Sequence, residues 1–121
     1  RLMKYVLQVN QKYYKFKIAR ISDLQLMKYQ ENSFFSWHMD INGHDYFVTR
    51  KLSIVIFLSD KSDYQGGQLI FGISENSEIP DIGMEQGGII IFPAYQIHMV
   101  TPVTSGIRHT LVAWVHGSSF E

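Results

Sequence analysis

At 121 residues and 14.1 kDa, with 45% apolar and 14% aromatic side chains, the chain has material for one domain around one core. Eleven basic and eleven acidic side chains cancel, with no run of either sign, which disfavours nucleic acid or an anionic membrane as partner. The absence of cysteine excludes disulfides, thiolate metal sites and cysteine nucleophiles; with no bilayer-length apolar stretch and no signal peptide, the expectation is a soluble cytoplasmic protein.

The first residue is Arg1, so residues 1–121 are read as a single domain lacking part of its N-terminal segment. Leu2, Tyr5, Val6 and Val9 recur at helical spacing and predict a short amphipathic helix over 2–12. From Tyr14 the period changes to two: Phe16, Ile18 and Ile21 alternate with Lys15, Lys17 and Arg20 as in a half-buried strand. Further short β-favouring runs follow over 24–29, 33–39, 51–58, 68–71, 89–92, 98–103 and 110–115. Turn residues separate them at Asn42-Gly43, Gly66-Gly67, Gly87-Gly88, Pro93 and Ser105-Gly106. Seven or eight strands with almost no helix between them predict a mainly β fold, an antiparallel jelly roll or barrel.

Within that strand pattern, Trp37-His38-Met39-Asp40 places His38 and Asp40 two apart, hence on one face, with Trp37 and Met39 on the other. His98 opens a later run, and Arg108 follows the Ser105-Gly106 turn, which would set the two on neighbouring antiparallel strands flanking one pocket. Two imidazoles and a carboxylate can hold one face of a ferrous ion and leave the opposite face open. An arginine nearby can grip an acidic co-substrate. A His-x-Asp pair arises by chance in about one in four chains of this composition, so it gains weight only together with His98 and Arg108. A non-catalytic jelly-roll module fits the strands and aromatics but leaves His38, Asp40, His98 and Arg108 unexplained, and a zinc or manganese hydrolase or cupin-type isomerase could use the three donors but gives Arg108 no task.

From about Leu24 to Gly117 the chain resembles the prolyl-4-hydroxylase branch of the Fe(II)/2-oxoglutarate dioxygenases. The resemblance rests on Leu26-Met27-Lys28-Tyr29, Phe34-Phe35-Ser36-Trp37-His38-Met39-Asp40, Leu52-Ser53-Ile54-Val55-Ile56-Phe57-Leu58-Ser59-Asp60 and Gly66-Gly67-Gln68-Leu69. It continues through Phe92-Pro93 and His98-Met99-Val100-Thr101-Pro102-Val103-Thr104-Ser105-Gly106-Ile107-Arg108. Within the branch it is most similar to the bacterial PKHD-type hydroxylases. The resemblance implies a double-stranded β-helix (jelly roll, cupin-like barrel) with a short N-terminal helix. By position it implies that His38, Asp40 and His98 bind Fe(II), and that Arg108 pairs with the far carboxylate of 2-oxoglutarate. Tyr29 matches a tyrosine that donates a hydrogen bond to that carboxylate in some relatives. The implied reaction couples oxidative decarboxylation of 2-oxoglutarate, by O2, to succinate and carbon dioxide with hydroxylation of an unactivated carbon. Ascorbate is a candidate auxiliary reductant.

The remaining conspicuous residues are read from placement. Trp114 shares strand parity with Arg108 and is expected to wall the pocket. Trp37 is expected to serve packing. His44, His109 and His116 are left out of the site, and Gly66-Gly67 is read as a turn or bulge aiming Gln68 and Leu69 inward. The loop 41–49, with Tyr46 and Phe47, follows a metal ligand and is a candidate substrate rim. A prolyl residue in a peptide or protein is the family-weighted substrate; a small molecule also fits, and fold alone does not decide.

Overall fold

Helix α1 (Leu2–Val9) opens the chain and buries Val6 completely against the first sheet. The computed structural model describes residues 2–14, 16, 18–40, 49–74, 77–79 and 85–117. At Asn10 the α-helix widens into a π-helical segment over Asn10–Tyr14, so helical structure covers the predicted span and runs two residues past it. The buried Asn10 amide donates to the Phe16 carbonyl at 2.7 Å and accepts from the Phe16 N–H at 2.8 Å, tying the start of this segment to the chain just past its end. The first strand accordingly begins only at Ile18.

Eleven strands are described: β1 (Ile18–Ile21), β2 (Gln25–Tyr29), β3 (Phe35–His38), β4 (Arg50–Phe57), β5 (Tyr64–Gly66), β6 (Leu69–Ser74), β7 (Ser77–Ile79), β8 (Ile89–Pro93), β9 (His98–Val100), β10 (Val103–Gly106) and β11 (Arg108–Gly117). The larger sheet runs β1-β11-β4-β8, with β2 pairing the first half of β11 and β1 its last residues. The second runs β3-β9-β6-β7, and β5 and β10 form a two-stranded ladder. Every pairing is antiparallel.

The period of two on β4 and β11 divides two cores. Leu52, Ile54, Ala113 and Val115 pack with Val6 beneath α1. Tyr29, Phe57, Leu69, Val100 and Val103 pack on the side facing the second sheet. Both faces of these two strands are therefore covered, which is why residues 54–57 of β4 and 111–115 of β11 are apolar without interruption. The mainly β jelly-roll expectation holds, as does the short N-terminal helix.

One placement differs from the sequence reading. The predicted strand over 98–103 is broken at Thr101-Pro102, where proline lacks a ladder donor. The chain leaves the second sheet after β9, pairs β10 with β5, and only then enters the larger sheet as β11. His98 and Arg108 thus lie on different sheets and face one another across the interior, not on neighbouring strands.

Candidate active site

Between the sheets lies a cavity of about 440 Å³, within the range of small-molecule sites. His38, Asp40, His98, Arg108, Tyr29, Ser53 and Trp114 all line it. His38 ends β3, and Asp40 follows just beyond the strand, its N–H donating to the Ala94 carbonyl at 2.9 Å. Parity is kept past the strand end, so both side chains enter the cavity. Met39, expected on the outer face, also reaches the cavity lining, while Trp37 stays outside, 43% exposed. There Trp37 lies against Gly72, where a Cβ would sit 3.3 Å from its ring.

Register brings the second imidazole opposite the first, since His38 pairs with His98 across β3 and β9. Their Nε2 atoms stand 3.2 and 3.3 Å from Asp40 Oδ1, and one donor atom from each of the three side chains lies within 4.8 Å of the others. Each ring is oriented by the same local device. His38 Nδ1 bonds the Ser36 carbonyl at 2.7 Å, and His98 Nδ1 bonds the Gln96 carbonyl at 2.8 Å, both two residues upstream. A carbonyl can only accept, so both Nδ1 atoms carry the proton and both Nε2 atoms turn inward, the arrangement a metal ligand needs. Phe35 packs against the His38 ring at 4.0 Å between centroids, and Phe92 meets His98 edge-on at 4.9 Å.

The Asp40 carboxyl is held by its surroundings. Burial alone would raise its pKa, but hydrogen bonds from His38 and His98, the electrostatic pull of His98 and the Ser53 hydroxyl outweigh that. The carboxyl therefore stays well below the usual carboxylate range. Ser53 Oγ and Trp114 Nε1 donate to Oδ2 at 2.5 and 3.0 Å. Neither Ser53 nor this use of Trp114 was foreseen; the signal available was parity, which puts Ser53 and Trp114 opposite one another across β4 and β11.

Arg108 opens β11 and is 2% exposed. Its guanidinium lies 5.0 Å from the Tyr29 ring centroid and 5.5 Å from that of Phe57. No carboxylate among the described residues pairs with it, and its Nε has no hydrogen-bond partner. A buried charge left in that condition is costly unless an anion reaches it. Tyr29 stands directly across the β2–β11 ladder from Arg108, and burial pushes its phenol up, against a lowering pull from Arg108 and with a small rise from Asp40. The donor set and this unmatched cation fit a ferrous ion together with a dicarboxylic acid.

The other sequence expectations divide. Gly66 and Gly67 do form a left-handed turn, with φ of 72° and 59°, and Leu69 is buried, but Gln68 is exposed. Gln68 and Leu69 are successive residues of extended chain, whose side chains alternate, so with Leu69 inward Gln68 is left outside, its backbone N–H bonded to Thr101 Oγ1 at 2.8 Å. His109 and His116 are absent from the cavity lining, and His116 Nδ1 instead meets Thr49 Oγ1 at 2.8 Å. His44, Tyr46 and Phe47, with the rest of the stretch 41–48, lie outside the described residues.

Comparison with known proteins agrees with this architecture. A PKHD-type hydroxylase of Synechococcus sp. strain CC9902 is 35% identical over 98 residues, covering 81% of this chain and 43% of that protein. The chain thus spans less than half the length of this curated relative. A Pseudomonas putida prolyl-4-hydroxylase superposes with a TM-score of 0.78 at 20% identity, over 97% of this chain and 63% of that one. A Trichoplax adhaerens prolyl hydroxylase, solved with a hypoxia inducible factor oxygen degradation domain peptide, gives 0.76 at 16% identity, over 96% and 53%. The sequence model of the 2OG-Fe(II) oxygenase superfamily matches residues 24–116, and the chain belongs to that superfamily.

Proposed function

We propose that the chain is the catalytic domain of an Fe(II)- and 2-oxoglutarate-dependent dioxygenase that hydroxylates an unactivated carbon, that of a prolyl residue in a cytoplasmic peptide or protein. Succinate and carbon dioxide are its co-products, and ascorbate sustains turnover as an external reductant. One observation carries the reading: a buried arginine without a counter-ion among the described residues shares its cavity with two imidazoles and a carboxylate whose donor atoms converge. A binding module without catalysis would leave Arg108 desolvated to no end.

In this reading His38, Asp40 and His98 hold the iron, and bound iron and 2-oxoglutarate supply the oxidising chemistry. The chain's own residues bind and orient. The Nδ1 bonds to Ser36 and Gln96 keep both Nε2 lone pairs aimed inward. The planar Arg108 fork takes the far carboxylate through two parallel hydrogen bonds, and the Tyr29 hydroxyl donates a further one. Val55, Leu69, Val100 and Val112 line the cavity and exclude water, which strengthens the pairing of Arg108 with the acid. Support for a prolyl substrate comes from the PKHD-type and prolyl-4-hydroxylase relatives, and for a peptide from the ligand of the Trichoplax adhaerens protein.

Anaerobic titration with ferrous iron and then 2-oxoglutarate tests the reading. A weak visible charge-transfer band is expected, lost on admission of oxygen with release of succinate. Arg108→Ala should keep the metal and lose co-substrate affinity by about 100-fold, the scale of truncating one partner of a buried charge pair. A band that forms unaltered in Arg108→Ala would defeat the assignment. A library of proline-containing peptides, read for the mass gain of one oxygen atom, tests the substrate class.

A further inference from the structure

Four side chains meet the Asp40 carboxylate, two on each oxygen, and the two pairs differ in kind. Oδ1 faces His38 Nε2 at 3.2 Å and His98 Nε2 at 3.3 Å. Oδ2 accepts from Ser53 Oγ at 2.5 Å and from Trp114 Nε1 at 3.0 Å. These donors come from adjacent strands at one register position, so the β4–β11 ladder sets their spacing. Arg50 closes the arrangement: its guanidinium carbon lies 3.7 Å from the Trp114 ring centroid, and its Nη1 donates to the Asp40 backbone carbonyl at 3.1 Å. Side chain and backbone of Asp40 are therefore tied to the same Trp114–Arg50 stack.

From this geometry we infer that Ser53 and Trp114 are positioning residues that make Asp40 a one-oxygen metal ligand, with Arg50 bracing Trp114. The inference rests on the reading of His38, Asp40 and His98 as metal ligands. A carboxylate oxygen that already accepts two hydrogen bonds in a partly buried site loses both if it turns towards a metal. Oδ1 is then the ligand atom, and Oδ2 is the handle by which the larger sheet holds it. The consequence is chemical: an aspartate restricted to one oxygen leaves a further metal position for ligands that react, whereas a two-oxygen aspartate would occupy it. Hydrogen-bonding partners of this kind behind a metal ligand are commonly worth tenfold to a hundredfold in affinity.

Cobalt(II) alone serves as the probe, because its visible absorption reports coordination independently of turnover. Ser53→Ala and Trp114→Phe should each weaken cobalt binding by about tenfold or more and change the cobalt band. Phe keeps a ring for Arg50 to stack on while removing the N–H, and Ser53→Thr, which keeps the hydroxyl, should restore affinity and band. Wild-type affinity and an unchanged band in both Ser53→Ala and Trp114→Phe would overturn the inference and reduce the two residues to packing. Should Trp114→Phe fail to fold, the contrast between Ser53→Ala and Ser53→Thr decides, since neither alters the core appreciably. His98→Ala separates the two levels: cobalt affinity kept in that variant defeats the ligand assignment itself, whereas its loss there beside an unaffected Ser53→Ala defeats only the positioning role.

Discussion

Under the proposed ligand set, His38 is a base that a proton and a metal would compete for. Burial draws its imidazole towards neutrality, but the hydrogen bond to Asp40, the Ser36 carbonyl and the Asp40 charge outweigh that and hold its pKa above the ordinary 6.5. A metal needs the Nε2 lone pair, so binding must displace that proton. Apparent metal affinity should therefore fall at least about tenfold per pH unit once the pH drops below the raised His38 value. Asp40, held well below its usual range, adds no second proton in that window. Stability of the metal-free protein runs the other way. The His38 contribution is fully present below pH 6.5 and is lost as the pH rises through the folded value. Cobalt titrations between about pH 8 and about pH 5.5, with denaturant melts of the metal-free protein in the same buffers, check both slopes. An affinity independent of pH would exclude His38 as the proton-displacing ligand. That His38 and Asp40 enter one cavity was legible from strand parity, and that His98 and Arg108 join them there was legible from residue chemistry and order along the chain. Ser53 was not, since a serine in an apolar run acquires a task only when its cross-strand partner is known.

The same asymmetry governs the elements. The long apolar runs of β4 and β11 read as strands because both faces are buried and β-branched residues fill them. β5, β7 and β10 escaped the sequence reading: each is short, and β5 and β10 end on glycine, a residue that signals a turn. What periodicity cannot carry is which strand lies beside which, and that is where His98 and Arg108 were misplaced. Gly67 shows what the short elements contribute. With φ of 59° it takes a left-handed conformation, and an added Cβ would stand 2.9 Å from Val103 Cγ2 and 3.0 Å from Arg108 Cδ. Gly67→Ala should thus cost about 1–3 kcal/mol of stability and also weaken 2-oxoglutarate binding, because the stem of Arg108 must shift. Gly87 supplies the control: its φ is 86°, but an added Cβ meets nothing within 4 Å. Gly87→Ala should lose stability and leave co-substrate affinity unchanged. Calorimetric titration beside thermal melts of both variants separates strain from displacement; equal co-substrate losses in the two would show that Gly67 does not act through Arg108.

At the scale of the whole molecule, the two main sheets share no hydrogen-bonded ladder among the described residues and meet through side chains around a central cavity. The donors are divided between them. His38 and His98 belong to the second sheet, Arg108 to the larger one, and Asp40, just past β3, is held by Ser53 and Trp114 of the larger sheet. A metal bound at the three donors, and an acid spanning from it to Arg108, would join the sheets where the protein itself leaves space. Ligands that bind only the folded state stabilise it by mass action, about 2.7 kcal/mol at a hundredfold excess over the dissociation constant. For a domain of this size that is an upward shift in Tm on the order of 10 °C. Since the acid needs both anchors, 2-oxoglutarate alone should move Tm little, the metal should move it clearly, and the two together should exceed the sum of the separate shifts. Arg108→Ala should keep the metal shift and lose the additional one. Anaerobic scanning calorimetry measures all four conditions, and additive shifts in the unmodified protein would mean that metal and acid occupy independent sites and that the sheets are not joined through one cavity.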